Sequence, residues 1–457
     1  MTTNAELQER KNKVFARGFG NIHQVYADRA QNAEIWDVEG KRYVDFAGGI
    51  AVTGTGHCNP RITEAVKAQL DRFSHTCAMV NPYESLVALA EKITDKYPSS
   101  GPSKAAFVTT GAEAVENAVK IARAHTGRRG VIAFNGSFHG RTMFALGLTG
   151  KIAPYKNLFG PFPADIFHIP FPIEYHGISV EDTMAALNNV FTIDIAPTDV
   201  AAIIVEPVLG EGGYYPASTE FLKALRAVCD EHGIVLIDDE IQAGIGRCGK
   251  WFCIEHAGVE PDLITFAKGI AGGFPIAGVV GKAEMMDAPL LGGLGGTYAA
   301  SPLGCVAALE VFDIIEEENL LERSRQIGEL FGKRFREMQE KFPGVIGDIR
   351  TNRGAMIAIE LVKGGDLQAM DMKIDESAQA EEGEMPARAA IATTVNVYTV
   401  EAIDLEANTF KLRNVEGEVG EFTARDPANL AKAAIGDAVV VTTTEAMAVE
   451  VVKATVD

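Results

Sequence analysis

Residues 105–292 alternate short, continuous apolar runs with longer segments of helical period, and this alternation restricts the fold more than any other feature of the chain. The runs are AAFVT, VIAFNG, VAAIIVEPV, GIVLIDDE, LITFAK and IAGVVG, separated by stretches such as AEAVENAVKIARAH and STEFLKALRAVCDEHG. A strand with one wet face alternates apolar and polar residues, whereas a run apolar throughout is buried on both faces. Strands of that kind, joined by helices, build an α/β domain around a mainly parallel sheet.

The flanks read differently. Residues 34–52, EIWDVEGKRYVDFAGGIAV, alternate in period two around Val38-Glu39-Gly40-Lys41, as a hairpin does. Pro60 to Phe73 has helical spacing at Ile62, Ala65, Val66 and Leu70. Ser301 to Pro343 reads as two amphipathic helices, and IGDIRTNRGAMIAIELV as an antiparallel strand pair of a second, smaller α+β domain. No internal repeat is visible at periods of 20–50 residues.

Charge marks a further boundary. The chain has 42 Lys and Arg against 62 Asp and Glu, a net charge of −20. From Gly365 to Asp457 there are 18 acids and 7 bases, so the last fifth carries more than half of the excess. All nine His, all six Cys and both Trp precede Gly365. Residues 365–392 have the composition of an acidic linker, and 393–457 alternate as a small antiparallel β module. The acid excess argues against a nucleic-acid partner. The N-terminus MTTNAELQERKNK lacks the apolar core of a signal peptide, and no run approaches the ~18 apolar residues of a membrane span. Six cysteines scattered without a C-x-x-C pair fit reduced thiols better than disulfides or zinc, so a cytoplasmic protein without a metal site is expected.

Chemistry concentrates where apolar runs end. Lys268 closes LITFAK and enters a turn with Gly269, Gly272 and Gly273. A lysine at the mouth of a buried strand can be desolvated and kept partly neutral, as a Schiff-base lysine requires. Alone it would more often be a surface lysine. Asp238, Asp239 and Glu240 follow an apolar strand at its C-terminal end, the edge at which open α/β sheets bind ligands. An acid there can keep a pyridinium nitrogen protonated, though three acids can equally open a solvated turn. Gly244-Ile-Gly246-Arg-Cys-Gly249 formally matches the dinucleotide fingerprint. It is displaced from the strand, and KWFCIEH opens a helix poorly, which counts against a nicotinamide site.

Thr109-Thr110-Gly111 leads straight into a helix at Ala112-Glu113-Ala114, and backbone N–H groups at such a start bind phosphate. In FNGSFHGRT, Phe138 beside His139 can stack on a planar group, and Arg141 can fork onto a carboxylate. Thr297 lies in the glycine-rich GGLGGTYAASP, within hydroxyl reach of a phosphate if that loop is ordered. A core aromatic, a solvated arginine and a mobile loop are the plain readings of these three taken singly.

Together these motifs, with IHQVYADRAQNAEIWDVEGKRYVDFAGGIAV, IIVEPVLGEGGYY and LIDDEIQAGIGRCG in the same order, make the first 362 or so residues resemble class III aminotransferases, pyridoxal phosphate enzymes that include 4-aminobutyrate aminotransferase. The resemblance implies a fold-type I transferase. Residues 1–55 and 310–364 would form its small domain and 56–309 the large cofactor-binding domain. It implies that Lys268 is the Schiff-base lysine and proton carrier, that Asp239 pairs with the pyridinium nitrogen, and that Gln242 bonds the ring hydroxyl. Phe138 would stack on the ring beside His139. Phosphate would rest on Gly111 and Ala112, with Thr297 contributed across a homodimer or a dimer of dimers. Ala112 replaces a Ser or Thr common in the family, which removes a hydroxyl contact but not the backbone donors.

For substrate the resemblance implies an amino donor held through its distal carboxylate by Arg141, with Ile50, Glu206 and Glu211 lining the same pocket, and a 2-oxo acid acceptor. The expected reaction moves the amino group of 4-aminobutyrate, or a close ω-amino acid, to 2-oxoglutarate. Ornithine, acetylornithine and 5-aminovalerate are alternative donors. The family's second substrate arginine lies in a C-terminal segment that nothing beyond Gly364 resembles. Arg388, Arg413 and Arg425 stand in unrelated contexts, so a non-catalytic aminotransferase-like fusion is the rival reading.

Overall fold

The computed structural model describes residues 2–342, 344–361, 372–379, 387–413, 418–423, 435 and 438–450. Its centre is a seven-stranded sheet in the order Ser103–Val108, Ala277–Lys282, Leu263–Phe266, Val235–Asp239, Val200–Val205, Gly130–Phe134, Ile166–Ile169. Ala277–Lys282 runs antiparallel to both neighbours, and the four other adjacent pairs are parallel. All six apolar runs become strands of this sheet. The seventh, Ile166–Ile169 at the sheet edge, escaped the pattern because its four residues, IFHI, include a histidine and all but Ile169 are only partly buried.

Both faces are covered, as continuous apolar runs require. Val131, Ala133, Ala202, Ile204, Val235 and Ile237 pack on one side with Ala114, Val115 and Ala118 of helix Gly111–Thr126. Ile132, Phe134, Ile203, Val205 and Leu236 pack on the other with Ile62, Val66, Leu89, Phe221 and Phe312. Each fully buried side chain of this size is worth ~1.5–3 kcal/mol. A one-residue slip would move all of them to the wrong layer, so the register is fixed. The same alternation places Asp239 on the face of Val235 and Ile237, and Asp238 and Glu240 on the opposite one.

Helix Gly111–Thr126 begins at a capping box: Thr110 Oγ accepts the Glu113 N–H and the Glu113 carboxylate accepts the Thr110 N–H. Near the N-terminus, Glu34–Asp37 and Arg42–Val44 pair antiparallel as expected, with Ala27–Gln31 as a third strand. The two amphipathic helices are Pro302–Glu317 and Leu320–Lys341, and Ile346–Arg350 and Ala358–Leu361 form the two-stranded sheet.

Two compact units divide the chain: Met1–Glu337 with Asp348–Ile359, and Met338–Gly347 with Glu360–Asp457. This differs from the expected boundaries at 55, 309 and 364. Val311, Phe312, Ile314 and Ile315 are buried in the same core as Ile62 and Val66, which keeps the helix after 309 with the large domain. Within the segment expected as a linker at 365–392, Met372–Gln379 and the start of Ala387–Asp404 are strands. Acidic residues set the composition there, but MKIDESAQ still alternates in period two. In the second unit these strands pair antiparallel with each other, and Thr409–Arg413 and Ala438–Glu450 both pair with Ala387–Asp404. Val400 and Leu412 face each other in register and are buried, and Phe410 stacks on Phe422. The remaining residues of the expected linker and module lie outside the described residues. Among the described residues no helix is long and apolar enough to cross a membrane.

Candidate active site

A cavity of about 320 Å³ opens at the C-terminal ends of the parallel strands. Thr109, Thr110, Gly111 and Ala112 line it after strand Ser103–Val108, Phe138, His139 and Gly140 after Gly130–Phe134, and Glu206 after Val200–Val205. Asp239 and Gln242 reach it from Val235–Asp239, and Lys268 from Leu263–Phe266. Sheet topology thus gathers residues 159 positions apart in sequence, from Thr109 to Lys268, around one space. A larger cavity, about 530 Å³ beside Tyr215, His256 and Asn352, is lined by none of the expected site residues.

Asp239 is 3% exposed and tightly held. Its Oδ1 accepts the Thr265 hydroxyl at 2.9 Å and the Ile241 N–H at 3.2 Å, and its Oδ2 accepts from His139 Nδ1 at 2.7 Å. The remaining ring nitrogen, His139 Nε2, is buried without a partner among the described residues. Glu206 is buried beside them. Burial, reinforced by Asp239 and opposed by His139, pushes its carboxyl up to about 7. Its Oε1 accepts the Phe138 N–H at 2.8 Å and its Oε2 the Gly210 N–H at 3.0 Å, so Glu206 fixes the backbone that carries the aromatic ring.

Lys268 opens a short 3-10 turn with φ of +49°, left-handed backbone that a non-glycine residue adopts only under constraint. Burial lowers its ammonium pKa and Arg247 adds to this, while Asp239, Glu206 and Glu211 oppose it. Among the described residues nothing hydrogen-bonds or ion-pairs its Nζ, which leaves the amine available to a ligand. Two glycines make room around these groups. A Cβ at Gly210 would lie 1.9 Å from Gln242 Oε1, and one at Gly140 2.7 Å from the Ala112 Cβ.

Four expected residues do not line the cavity of their own chain. Ile50, Arg141, Glu211 and Thr297 are exposed. Arg141 directly follows Gly140, and its guanidinium lies 5.1 Å from the Tyr155 ring centroid. Tyr155 Oη donates to Glu211 Oε2 at 2.8 Å, and the Tyr155 ring meets that of Phe138 at 5.0 Å. Thr297 sits in a turn away from this group. Arg413 is engaged by Glu401 in the tail sheet, the Arg388 side chain and Arg425 lie outside the described residues, and no role attaches to any of the three. Sequence reasoning missed Tyr155 and Thr265. The threonine inside the apolar run LITFAK was a signal, but KIAPYKN has no period that would mark the tyrosine.

The cavity fits pyridoxal phosphate. Gly111 N and Ala112 N, at a helix start where no intrahelical acceptor exists, have no acceptor among the described residues and can receive a phosphate. An ordered carboxylate, an aromatic ring, a side-chain amide and a partly desolvated lysine supply the other groups such a cofactor needs.

Comparison with known proteins agrees. The family model "Aminotransferase class-III" matches residues 14–404, past the limit near 362 expected from the motifs. The chain is 55% identical over 364 residues to 5-aminovalerate aminotransferase DavT of Pseudomonas aeruginosa, covering 80% of this chain and 85% of that protein. It is 52% identical over 374 residues to 4-aminobutyrate aminotransferase GabT of Escherichia coli, covering 82% and 87%. Among solved structures, taurine:2-oxoglutarate aminotransferase from Bifidobacterium kashiwanohense, in complex with PLP and glutamate, superposes with a TM-score of 0.73 at 26% identity, covering 81% and 86%. The chain belongs to the class III aminotransferases and is a pyridoxal phosphate-dependent enzyme.

Proposed function

We propose that this enzyme transfers the amino group of 4-aminobutyrate, or of a close ω-amino acid such as 5-aminovalerate, to 2-oxoglutarate, and that it works as a cytoplasmic homodimer. The observation that carries the substrate is Arg141. Arg141 directly follows the cavity residue Gly140, and its guanidinium has no carboxylate partner among the described residues. An ω-amino acid needs an anion anchor several bonds from the reacting amine, and a planar fork suits a carboxylate. The relatives named for 4-aminobutyrate and 5-aminovalerate support the same class.

In this reading Arg141 orients the donor so that its amino-bearing carbon faces Lys268. Pyridoxal phosphate, when bound, supplies the electron sink for the pair left by C–H cleavage and carries the amino group between half-reactions. Lys268 Nζ, its ammonium pKa lowered by burial, takes the proton from that carbon and returns it on the other side of the reaction. Asp239, held by Thr265, Ile241 N and His139, would pair with the pyridinium nitrogen of the cofactor. Gly111 and Ala112 would hold the phosphate of the cofactor, Phe138 would stack on its ring, and Gln242 would bond its ring hydroxyl. Exposed Leu290, Leu291 and Tyr298 around Thr297 support a dimer in which that loop meets a second copy.

The test is a donor half-reaction. Holoenzyme given 4-aminobutyrate without acceptor should release about one succinate semialdehyde per chain, and 2-oxoglutarate added afterwards should yield glutamate. Holoenzyme that releases aldehyde from ornithine but not from 4-aminobutyrate or 5-aminovalerate would refute the donor class. A chain that binds cofactor and converts no donor would support the non-catalytic reading.

A further inference from the structure

We propose that Tyr155 is a positioning residue that holds Glu211 away from Arg141 and so keeps that guanidinium open to a substrate carboxylate. The inference rests on the reading of Arg141 as the carboxylate anchor. Three contacts converge on this one side chain. Its hydroxyl donates to Glu211 Oε2 at 2.8 Å, its ring lies 5.1 Å from the Arg141 guanidinium, and the same ring meets Phe138 at 5.0 Å and 57°.

Packing alone would require only the ring. The hydroxyl does something further, since it reaches a carboxylate 56 positions away in the chain. Glu211 and Arg141 are opposite charges that both contact Tyr155, Glu211 through the hydroxyl and Arg141 over the ring and at the hydroxyl, yet no ion pair joins them among the described residues. Without a donor of its own, Glu211 would gain by turning to the guanidinium, where it would compete with every carboxylate substrate. A neutral phenol satisfies the glutamate without adding charge. Burial and then Glu211 hold the phenol pKa above its ordinary value, with Arg141 opposing them. The ring meanwhile holds the guanidinium by cation–π contact at 5.1 Å.

Tyr155→Phe keeps the ring and removes the hydroxyl. The expected result is a KM about tenfold higher for both 4-aminobutyrate and 2-oxoglutarate with kcat within about threefold, a loss confined to carboxylate binding. Adding Glu211→Gln should restore KM to within about twofold, because the neutral amide cannot compete for Arg141. Arg141→Met, measured in parallel, separates this inference from the reading beneath it. Raised KM in Arg141→Met with unchanged KM in Tyr155→Phe overturns the role of Tyr155 and leaves the anchor standing. Raised KM in Tyr155→Phe without rescue by Glu211→Gln reduces Tyr155 to packing and also overturns it. Unchanged KM in Arg141→Met removes the anchor, and this inference with it. Cofactor absorbance retained in each variant shows that the site is folded.

Discussion

His139 Nδ1 donates to Asp239 Oδ2 across 2.7 Å between side chains that are 0% and 3% exposed. The carboxylate therefore faces the cavity already ordered, with Thr265 and the Ile241 N–H on its other oxygen. Removing the charge should cost far more than removing one support. Asp239→Asn is expected to lower kcat/KM for the donor by about 10²–10³, the scale of losing one preorganised electrostatic contact. His139→Phe is expected to cost about tenfold, the scale of one hydrogen bond to a charged group. Single-turnover rates with 4-aminobutyrate test the ranking, and an equal loss in both variants would show that His139 does more than orient the acid.

Lys268 should behave as a buried amine and as the proton carrier. Lys268→Ala is expected to abolish turnover while leaving phosphate-end binding, so that cofactor still associates. An added primary amine such as ethylamine should then recover a fraction of the proton transfer. Because burial lowers the ammonium pKa, the wild-type apoenzyme should lose this proton at lower pH than its surface lysines. Cofactor-protectable acylation at Lys268, followed by mass spectrometry across pH, reads that directly. Acylation no faster than at surface lysines would contradict the desolvation argument.

Much of this site was visible in the sequence because sheet physics and cofactor chemistry point to the same positions. Ligand groups at the ends of apolar runs lie at the C-terminal edge of a parallel sheet, which made Asp239, Phe138, His139 and Lys268 findable before any coordinates. Alternation also separates Asp239 from its neighbours Asp238 and Glu240. What escaped was packing between segments distant in the sequence. No local pattern joins Glu206 to the Phe138 N–H, or Tyr155 to Glu211. Composition also hides the strands within 365–392: net acidity describes solvation, whereas strand formation follows backbone pairing, which Ala387–Asp404 makes along its length.

Gly210 tests how closely Gln242 is placed. A methyl there would sit 1.9 Å from Gln242 Oε1 and 3.3 Å from Glu206 Oε2. Gly210→Ala must therefore displace the amide. The expected result is cofactor affinity weakened about tenfold, the effect of one lost hydrogen bond with some strain. Gln242→Ala should weaken binding to a similar extent, and the double variant should be no worse than either, because both act on the same contact. Equilibrium titration of the apoenzyme with pyridoxal phosphate provides the numbers. Additive losses in the double variant would place the role of Gly210 elsewhere.

Asp238 and Glu240 give the protein a pH-dependent stability unrelated to catalysis. Both are 0% exposed on the same face of strand Val235–Asp239 and its extension, and no basic side chain pairs with either among the described residues. Burial, followed by the neighbouring acid, holds Asp238 well above its usual range, while burial pushes Glu240 up to about 8. The folded state thus keeps protons that the unfolded chain releases near pH 4–4.5. Since the folded state binds more protons in that window, stability is full below the unfolded pKa and falls as pH rises toward about 8, where Glu240 ionises. Asp238→Ala removes the like-charged neighbour and one buried carboxyl. It should flatten this decline and stabilise the protein at pH 8.5 by about 1–2 kcal/mol, as replacement of buried charge by apolar groups often does. At pH 5, where the pair is protonated in the folded state, the gain should largely disappear. Denaturant midpoints at the two pH values decide the matter. A gain of equal size at both would mean that the substitution improves packing and that the two carboxyls are not a proton-linked pair.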